Sequence, residues 1–155
     1  MEINDLVPLQ MLRRLKSLLI SETRIEDLSS LKELQRLEKL ICRKSPVMKI
    51  ASIAALPSLK YLDISDTQVS DFDLVALLTG LEYLNISGTP VRKLKWIPGL
   101  ENLSQLDVYN TSIGSLMDLV NLNSLKTVKC YNTKLNEKKI AKFSSLRPDV
   151  EVVFY

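Results

Sequence analysis

The chain has 155 residues, of which 46% are hydrophobic and 25% charged, so it can bury a sizeable core as one domain. Its net charge of +3 is too mild for a protein that mainly binds nucleic acid, which would favour clustered lysine and arginine. No apolar stretch is long enough to span a membrane, and the first residues lack the basic and apolar segments of a signal peptide. We therefore expect no membrane contact and a cytoplasmic location.

The composition also argues against catalysis. Histidine is absent, which removes the commonest general base and the commonest metal ligand. The sequence shows no phosphate-binding glycine loop and no zinc motif, and no nucleophile has a candidate base beside it. We expect no enzymatic activity and no cofactor.

A threonine or serine recurs at an interval of 22 residues along the chain: Thr23, Ser45, Thr67, Thr89, Thr111 and Thr133. The positions eight and eleven residues before each of them are always leucine. The positions five and three before, and two after, are apolar or cysteine. Representative copies are LKYLDISDT, residues 59–67, and LEYLNISGT, residues 81–89.

The spacing within each copy predicts its local structure. Alternation of apolar and polar residues before the threonine indicates a short strand. After it, apolar residues fall every third position (Leu28, Leu31, Leu34), which suits a 3₁₀ helix with three residues per turn. Successive copies should stack with parallel strands about 4.8 Å apart, since no copy can bury its apolar side alone. The threonine hydroxyls are expected to form a ladder along the stack.

These repeats resemble the leucine-rich-repeat family, whose core is LxxLxLxxN, with threonine or serine in place of the asparagine. They are most similar to the 22-residue class found in bacterial internalin-like arrays, and the resemblance covers essentially the whole chain. It implies an α/β fold: a right-handed, curved solenoid with a parallel sheet on its concave face and 3₁₀ or irregular returns on its convex face. It also implies that partners bind the concave face.

Two regions follow from the repeat. Residues 1–135 should form the array, with a partial first repeat in which Met1 occupies the threonine position, followed by six full units. Residues 136–155 should form a C-terminal cap, in which Asn136 caps a helix and Val150–Phe154 form an edge strand with Val150 and Val152 facing inward. The N-terminal end has no such cap, which favours a piece of a longer protein and leaves edge-to-edge association of a monomer open.

Other residues have structural interpretations. Cys42 and Cys130 share an inward position about 19 Å apart, from the strand spacing. A disulfide needs Cα atoms within about 7 Å, so both are predicted to be buried and reduced. The apolar Leu74, Leu77 and Trp96 belong to the convex side, where they either pack between adjacent returns or form a second contact site.

Strand alternation also predicts which side chains reach the concave face. The candidate partner-binding residues are Arg43, Tyr61, Asp63, Tyr83, Asn85, Asp107, Tyr109 and Tyr131. Tyr61 and Tyr83 should be adjacent on neighbouring strands, and so should Tyr109 and Tyr131. Tyrosine and arginine are enriched at binding hot spots, although tyrosine also simply suits strands. The nearby carboxylates of Asp63, Asp66 and Asp107 are expected to be solvated.

The predicted function is a protein–protein interaction module. Basic, acidic and again basic strips alternate along the concave face, and such mixed signs suit a protein better than a nucleic acid backbone. Two alternatives stay open: a structural or regulatory arm of a larger multidomain protein, and a glycan-binding surface.

Overall fold

The computed structural model describes residues 5–155, so Met1 and Ile3 of the predicted partial repeat lie outside the described residues. Seven short strands form one parallel sheet in chain order. They are β1 Ser17–Leu19, β2 Lys39–Ile41, β3 Tyr61–Asp63, β4 Tyr83–Asn85, β5 Gln105–Asp107, β6 Thr127–Lys129 and β7 Glu151–Val153. This architecture confirms the predicted repeat fold.

The register from β1 to β6 repeats every 22 residues. Leu40 pairs with Leu62, Leu62 with Leu84, and Leu84 with Leu106. The middle residue of each of these strands points into the core, where the four leucines are fully buried. Identical layers therefore stack on one another, as the leucine positions predict.

Short 3₁₀ helices return the chain from one strand to the next. They span Val7–Met11, Ser29–Glu33, Ala51–Ala55, Val75–Leu77, Ile97–Gly99 and Met117–Leu119. In the second of these returns the amides of Leu31 and Leu34 donate to the carbonyls three residues earlier, both at 2.9 Å. The three-residue spacing of the apolar side chains is thus the repeat of these helices.

The threonine column does not form the predicted ladder. Each threonine hydroxyl instead donates to the carbonyl three residues earlier in its own repeat, as Thr89 does to Ile86 at 2.6 Å. A hydroxyl contact between repeats joins Thr23 and Ser45, at 3.3 Å. The ladder is wrong because a hydroxyl has one proton to donate, and each threonine donates it to a carbonyl in its own repeat. The hydroxyls hold the bend that follows each strand.

The C-terminal element is the predicted helix, α1 (Glu137–Leu146), and its side-chain cap is Asn136, which accepts from the Lys139 amide at 3.1 Å. The register after it differs from the 22-residue period, which would pair Val128 with Val150: Val128 pairs with Val152 instead. An α-helix rises about 1.5 Å per residue against about 2.0 Å in a 3₁₀ helix. The return through α1 therefore takes two more residues than the others.

A second periodic feature escaped the sequence analysis. The residue before each threonine or serine has a left-handed backbone, with φ between 51° and 66°. The residues are Glu22, Lys44, Asp66, Gly88, Asn110 and Asn132. Glycine, asparagine and aspartate tolerate this conformation and could have revealed it, whereas glutamate and lysine are strained there.

We expect Lys44→Gly to stabilise the protein. Relief of the left-handed strain outweighs the entropy that glycine adds to the unfolded chain, for a net gain of about 0.5–1 kcal/mol. Lys49→Gly is a matched control, because both lysines hold a 3.6 Å surface ion pair and Lys49 has no positive φ. The control should lose about 0.5–1 kcal/mol. Urea denaturation measures the free energy of unfolding of both variants. Equal losses of stability in the two would contradict the backbone strain at Lys44.

Both cysteines are buried and free, as predicted. Burial raises the pKa of Cys42 to about 12, with a further contribution from Asp63, and burial raises the pKa of Cys130 to about 11. On the return side, Trp96 stacks on Phe72 of the preceding repeat with ring centroids 5.4 Å apart. That contact favours packing between returns, while Leu77 is 61% exposed.

Candidate partner-binding face

The open face of the sheet consists of the side chains that point away from the core. They come from the first and last residue of each strand and from the residue two positions after it. The strand register puts all the candidate residues on this face. Tyr61 and Tyr83 are the first residues of their strands, and Asp63, Asn85 and Asp107 are the last residues of theirs. Arg43, Tyr109 and Tyr131 lie two positions after the ends of β2, β5 and β6. Their degree of exposure, however, separates them into two groups.

The tyrosines form two stacked pairs, which agrees with their predicted adjacency. The rings of Tyr61 and Tyr83 stack with centroids 4.1 Å apart and an interplanar angle of 8°. The rings of Tyr109 and Tyr131 stack at 4.5 Å and 10°. The ammonium of Lys39 lies 4.5 Å from the Tyr61 centroid and extends the first pair by a cation–π contact. All four rings are half-buried, so their exposed edges form a rigid, partly apolar surface.

Asp107 connects the tyrosines to the polar part of the face. Its carboxylate accepts from the Tyr83 hydroxyl at 3.0 Å and from Gln105 at 3.1 Å, and it lies 3.7 Å from the Lys129 ammonium. Burial of the Tyr83 ring and the nearby Asp107 charge both raise the pKa of that tyrosine well above its ordinary value. The Tyr83 hydroxyl is therefore neutral and fixed in position at physiological pH.

Asp63 and Asn85 support the backbone instead of facing solvent. They are 4% and 6% exposed, and the side chain of each accepts two bonds from the serine two residues later. For Asp63 these come from the Ser65 amide at 3.0 Å and hydroxyl at 2.6 Å. For Asn85 the corresponding Ser87 distances are the same. Such Asx turns close the bend before the left-handed residue.

The expectation of solvated carboxylates is thus wrong for Asp63 and for Asp107, which is 3% exposed, and right for Asp66. The Asp-x-Ser and Asn-x-Ser spacing was the available signal for these turns. A partner can reach Arg43 and the four tyrosines, whereas the buried carboxylates and amide act through the side chains they hold. Near β1 and β2 the face is more apolar, with Leu19 63% exposed.

No family model and no curated protein sequence matches the chain. Solved structures do match it over nearly its whole length. An internalin of Listeria monocytogenes aligns at 24% identity with a TM-score of 0.88, over 97% of this chain and 44% of that one. The chain has a leucine-rich-repeat fold.

Two further leucine-rich-repeat structures agree. A leucine-rich-repeat protein of Leptospira interrogans aligns at 19% identity and a TM-score of 0.89, over 99% of this chain and 41% of that one. Internalin C2 of Listeria monocytogenes aligns at 23% identity and a TM-score of 0.85, over 99% of this chain and 67% of that one. This chain therefore spans less than half of the first two leucine-rich-repeat proteins.

Across residues 5–155 no helix has the length and apolar character needed to cross a membrane. The same residues contain no group of three or more acidic or cysteine side chains arranged to hold a metal ion.

Proposed function

We propose that this leucine-rich-repeat chain is a protein-interaction module that binds its partner on the open face of the sheet. The observation that carries the proposal is the pair of tyrosine stacks, which present aromatic edges on a rigid parallel sheet. Exposed Arg43 adds a positive charge at the end of β2, and half-exposed Lys129 adds another 3.7 Å from the buried Asp107. Aromatic and arginine side chains in such a setting are typical of binding hot spots.

The tyrosines are held before any partner arrives, which favours affinity. Stacking fixes each ring against its neighbour, and the bond from Tyr83 to Asp107 fixes one pair along the face. A side chain already restricted to one rotamer loses about 0.5–1.5 kcal/mol less on binding than a free one. This preorganisation supports the open face over the return side, where Leu77 stands exposed.

The glycan-binding alternative is less well supported by the same rings. A sugar stacks on the face of an aromatic ring, but in each pair the inner faces are occupied by the partner tyrosine. Lys39 covers the outer face of Tyr61 as well. The exposed ring edges suit a protein surface that offers both apolar and polar groups.

The alternative of an arm within a larger protein is compatible with binding. The chain spans 44% and 41% of two of the structures it resembles. A partner of such a larger protein would also touch repeats outside this sequence, so the contribution of the open face has to be measured separately.

We expect the double variant Tyr83→Ala plus Tyr109→Ala to weaken partner binding about thirtyfold, which corresponds to about 2 kcal/mol for hot-spot residues. The partner is first captured with wild-type protein and identified, and its affinity for both purified proteins is then measured by calorimetry. Both substitutions remove side chains that are half-exposed, so the fold should persist, and circular dichroism would verify it.

Tyr155→Ala is the matched control, because Tyr155 is fully exposed and lies outside the tyrosine pairs. It should leave the affinity unchanged. Equal affinity of the wild type and the double variant for the captured partner would exclude the open face as its binding surface.

A further inference from the structure

Exposed cations gather on one flank of repeats four to six, where the chain leaves the strands. The group consists of Arg92, Lys93, Lys95, Lys134 and Lys139, which we call the flank cluster. Elsewhere most ion pairs connect neighbouring repeats, such as Lys16 with Glu38 at 2.7 Å and Lys60 with Glu82 at 2.8 Å. Within residues 5–155 no member of the flank cluster pairs with a carboxylate in this way.

A cleft of about 370 Å³ lies within this cluster. Arg92, Lys93 and Lys95 form one side of it, and the backbone of Gly114 and Ser115 in the next repeat forms its floor. Asp118 is the one carboxylate among its lining residues. The cleft therefore carries a net positive charge.

Two further cations lie beside the same glycine, Lys134 of the sixth repeat and Lys139 of helix α1. A Cβ placed on Gly114 would lie 3.6 Å from the Lys139 ammonium and 3.9 Å from the Lys134 Cβ. The Lys139 ammonium donates to the Lys134 carbonyl at 3.1 Å, which orients it beside this glycine. Because residue 114 has no side chain, cations from the repeats on both sides face the same space.

The side formed by repeat four is also fixed in place. The Trp96 indole stacks on Phe72 and donates to the Lys93 carbonyl at 3.1 Å. This bond holds the backbone of the segment that carries Arg92, Lys93 and Lys95. The cations are therefore presented by a supported backbone rather than by a free loop.

We propose that this cleft binds an acidic peptide segment of a protein partner, separately from the open face. Carboxylates placed between cations from two sides gain charge-assisted hydrogen bonds and are attracted from a distance. Acidic side chains limit the extent of the basic surface. Asp71 and Asp73 line the adjoining cleft together with Arg92 and Lys93, and Glu137 is the first residue of α1. These acids would repel a continuing phosphate backbone, so an acidic peptide fits better than a nucleic acid.

The test uses a fluorescein-labelled peptide of eight glutamates, with a labelled eight-nucleotide oligothymidylate of similar charge as the second probe. Fluorescence anisotropy measures both affinities at about 0.15 M salt, where the Debye length is about 8 Å and distant charges are screened. Lys93→Glu plus Lys95→Glu reverses one side of the cleft. Gly114→Glu introduces a carboxylate on its floor without removing any cation.

Both cleft variants should weaken peptide binding about tenfold or more. Lys32→Glu plus Arg36→Glu is the matched control, since both residues are exposed in the return between β1 and β2 and the change in net charge equals that of the double cleft variant. The control and the double tyrosine variant should stay within about twofold of wild type. An equal loss of peptide affinity in the control would contradict the proposed site. Tighter binding of the oligonucleotide than of the peptide would contradict the proposed ligand.

Discussion

Replacing Arg147 with alanine is expected to lower the free energy of unfolding by about 3 kcal/mol, because hydrogen bonds to a buried charged group are each worth about 1.5–3 kcal/mol. Arg147 is 8% exposed and its guanidinium donates to backbone carbonyls of the last 3₁₀ return. The acceptors are Val120 at 3.1 Å, Leu122 at 2.9 Å and Leu125 at 3.2 Å. Without the arginine, carbonyls at the covered end of the array lose their donor.

The expected loss of stability comes mainly from the bonds to these carbonyls, and less from the ion pair of Arg147 with Asp149. Arg147 also contacts Asp149, at 2.9 and 2.8 Å, and this contact raises the pKa of the arginine and lowers that of Asp149. Asp149 is 60% exposed, however, so solvent screens the pair and its contribution is small beside that of the carbonyl bonds.

Asp149→Ala is therefore the informative control for Arg147→Ala. It removes the ion pair but keeps the carbonyl bonds, so it should cost well under half as much. Arg147→Lys should retain little of the stability, since one ammonium cannot reach several carbonyls as the planar guanidinium does. Chemical denaturation of the three variants measures this order, and an equal cost for Asp149→Ala and Arg147→Ala would assign the effect to the ion pair.

Leu84→Ala should cost about 3 kcal/mol, within the range of about 2–5 kcal/mol for a buried leucine. Leu84 is fully buried in β4, at the centre of the sheet, and pairs with Leu62 and Leu106 on its two sides. The neighbouring layers are fixed by their own strands and cannot collapse into the space that the substitution leaves. The cost then combines lost burial with a cavity.

Leu19→Ala provides the control for Leu84→Ala, because it makes the same change at a side chain that is 63% exposed on the open face. Its effect should stay within about 0.5 kcal/mol. Urea denaturation followed by circular dichroism reports on the whole array, and Trp96 fluorescence reports on the repeat that contains Leu84. A cost for Leu84→Ala as small as that for Leu19→Ala would contradict the assignment of Leu84 to the central core.

The sequence alone was sufficient for the apolar layers, which repeat by simple translation. The leucine columns determine which side chains face inward, and stacked copies must then pair at a constant register, as Leu62 does with Leu84. Residues at equivalent positions in neighbouring copies become lateral neighbours. That is why the tyrosine pairs, such as Tyr61 with Tyr83, could be predicted without coordinates.

The tertiary structure decided how backbone polar groups find partners. The apolar repeat does not indicate that Arg147 reaches the carbonyls of the last return or that two extra residues precede Val152. The turn from Asp63 to Ser65 has only its Asp-x-Ser spacing as a local signal. Each depends on where unsatisfied amides and carbonyls end up once the layers are stacked, and buried groups of this kind must be paired. Apolar periodicity determines the stack, whereas the bends and the covered end depend on hydrogen-bond partners that exist only after it forms.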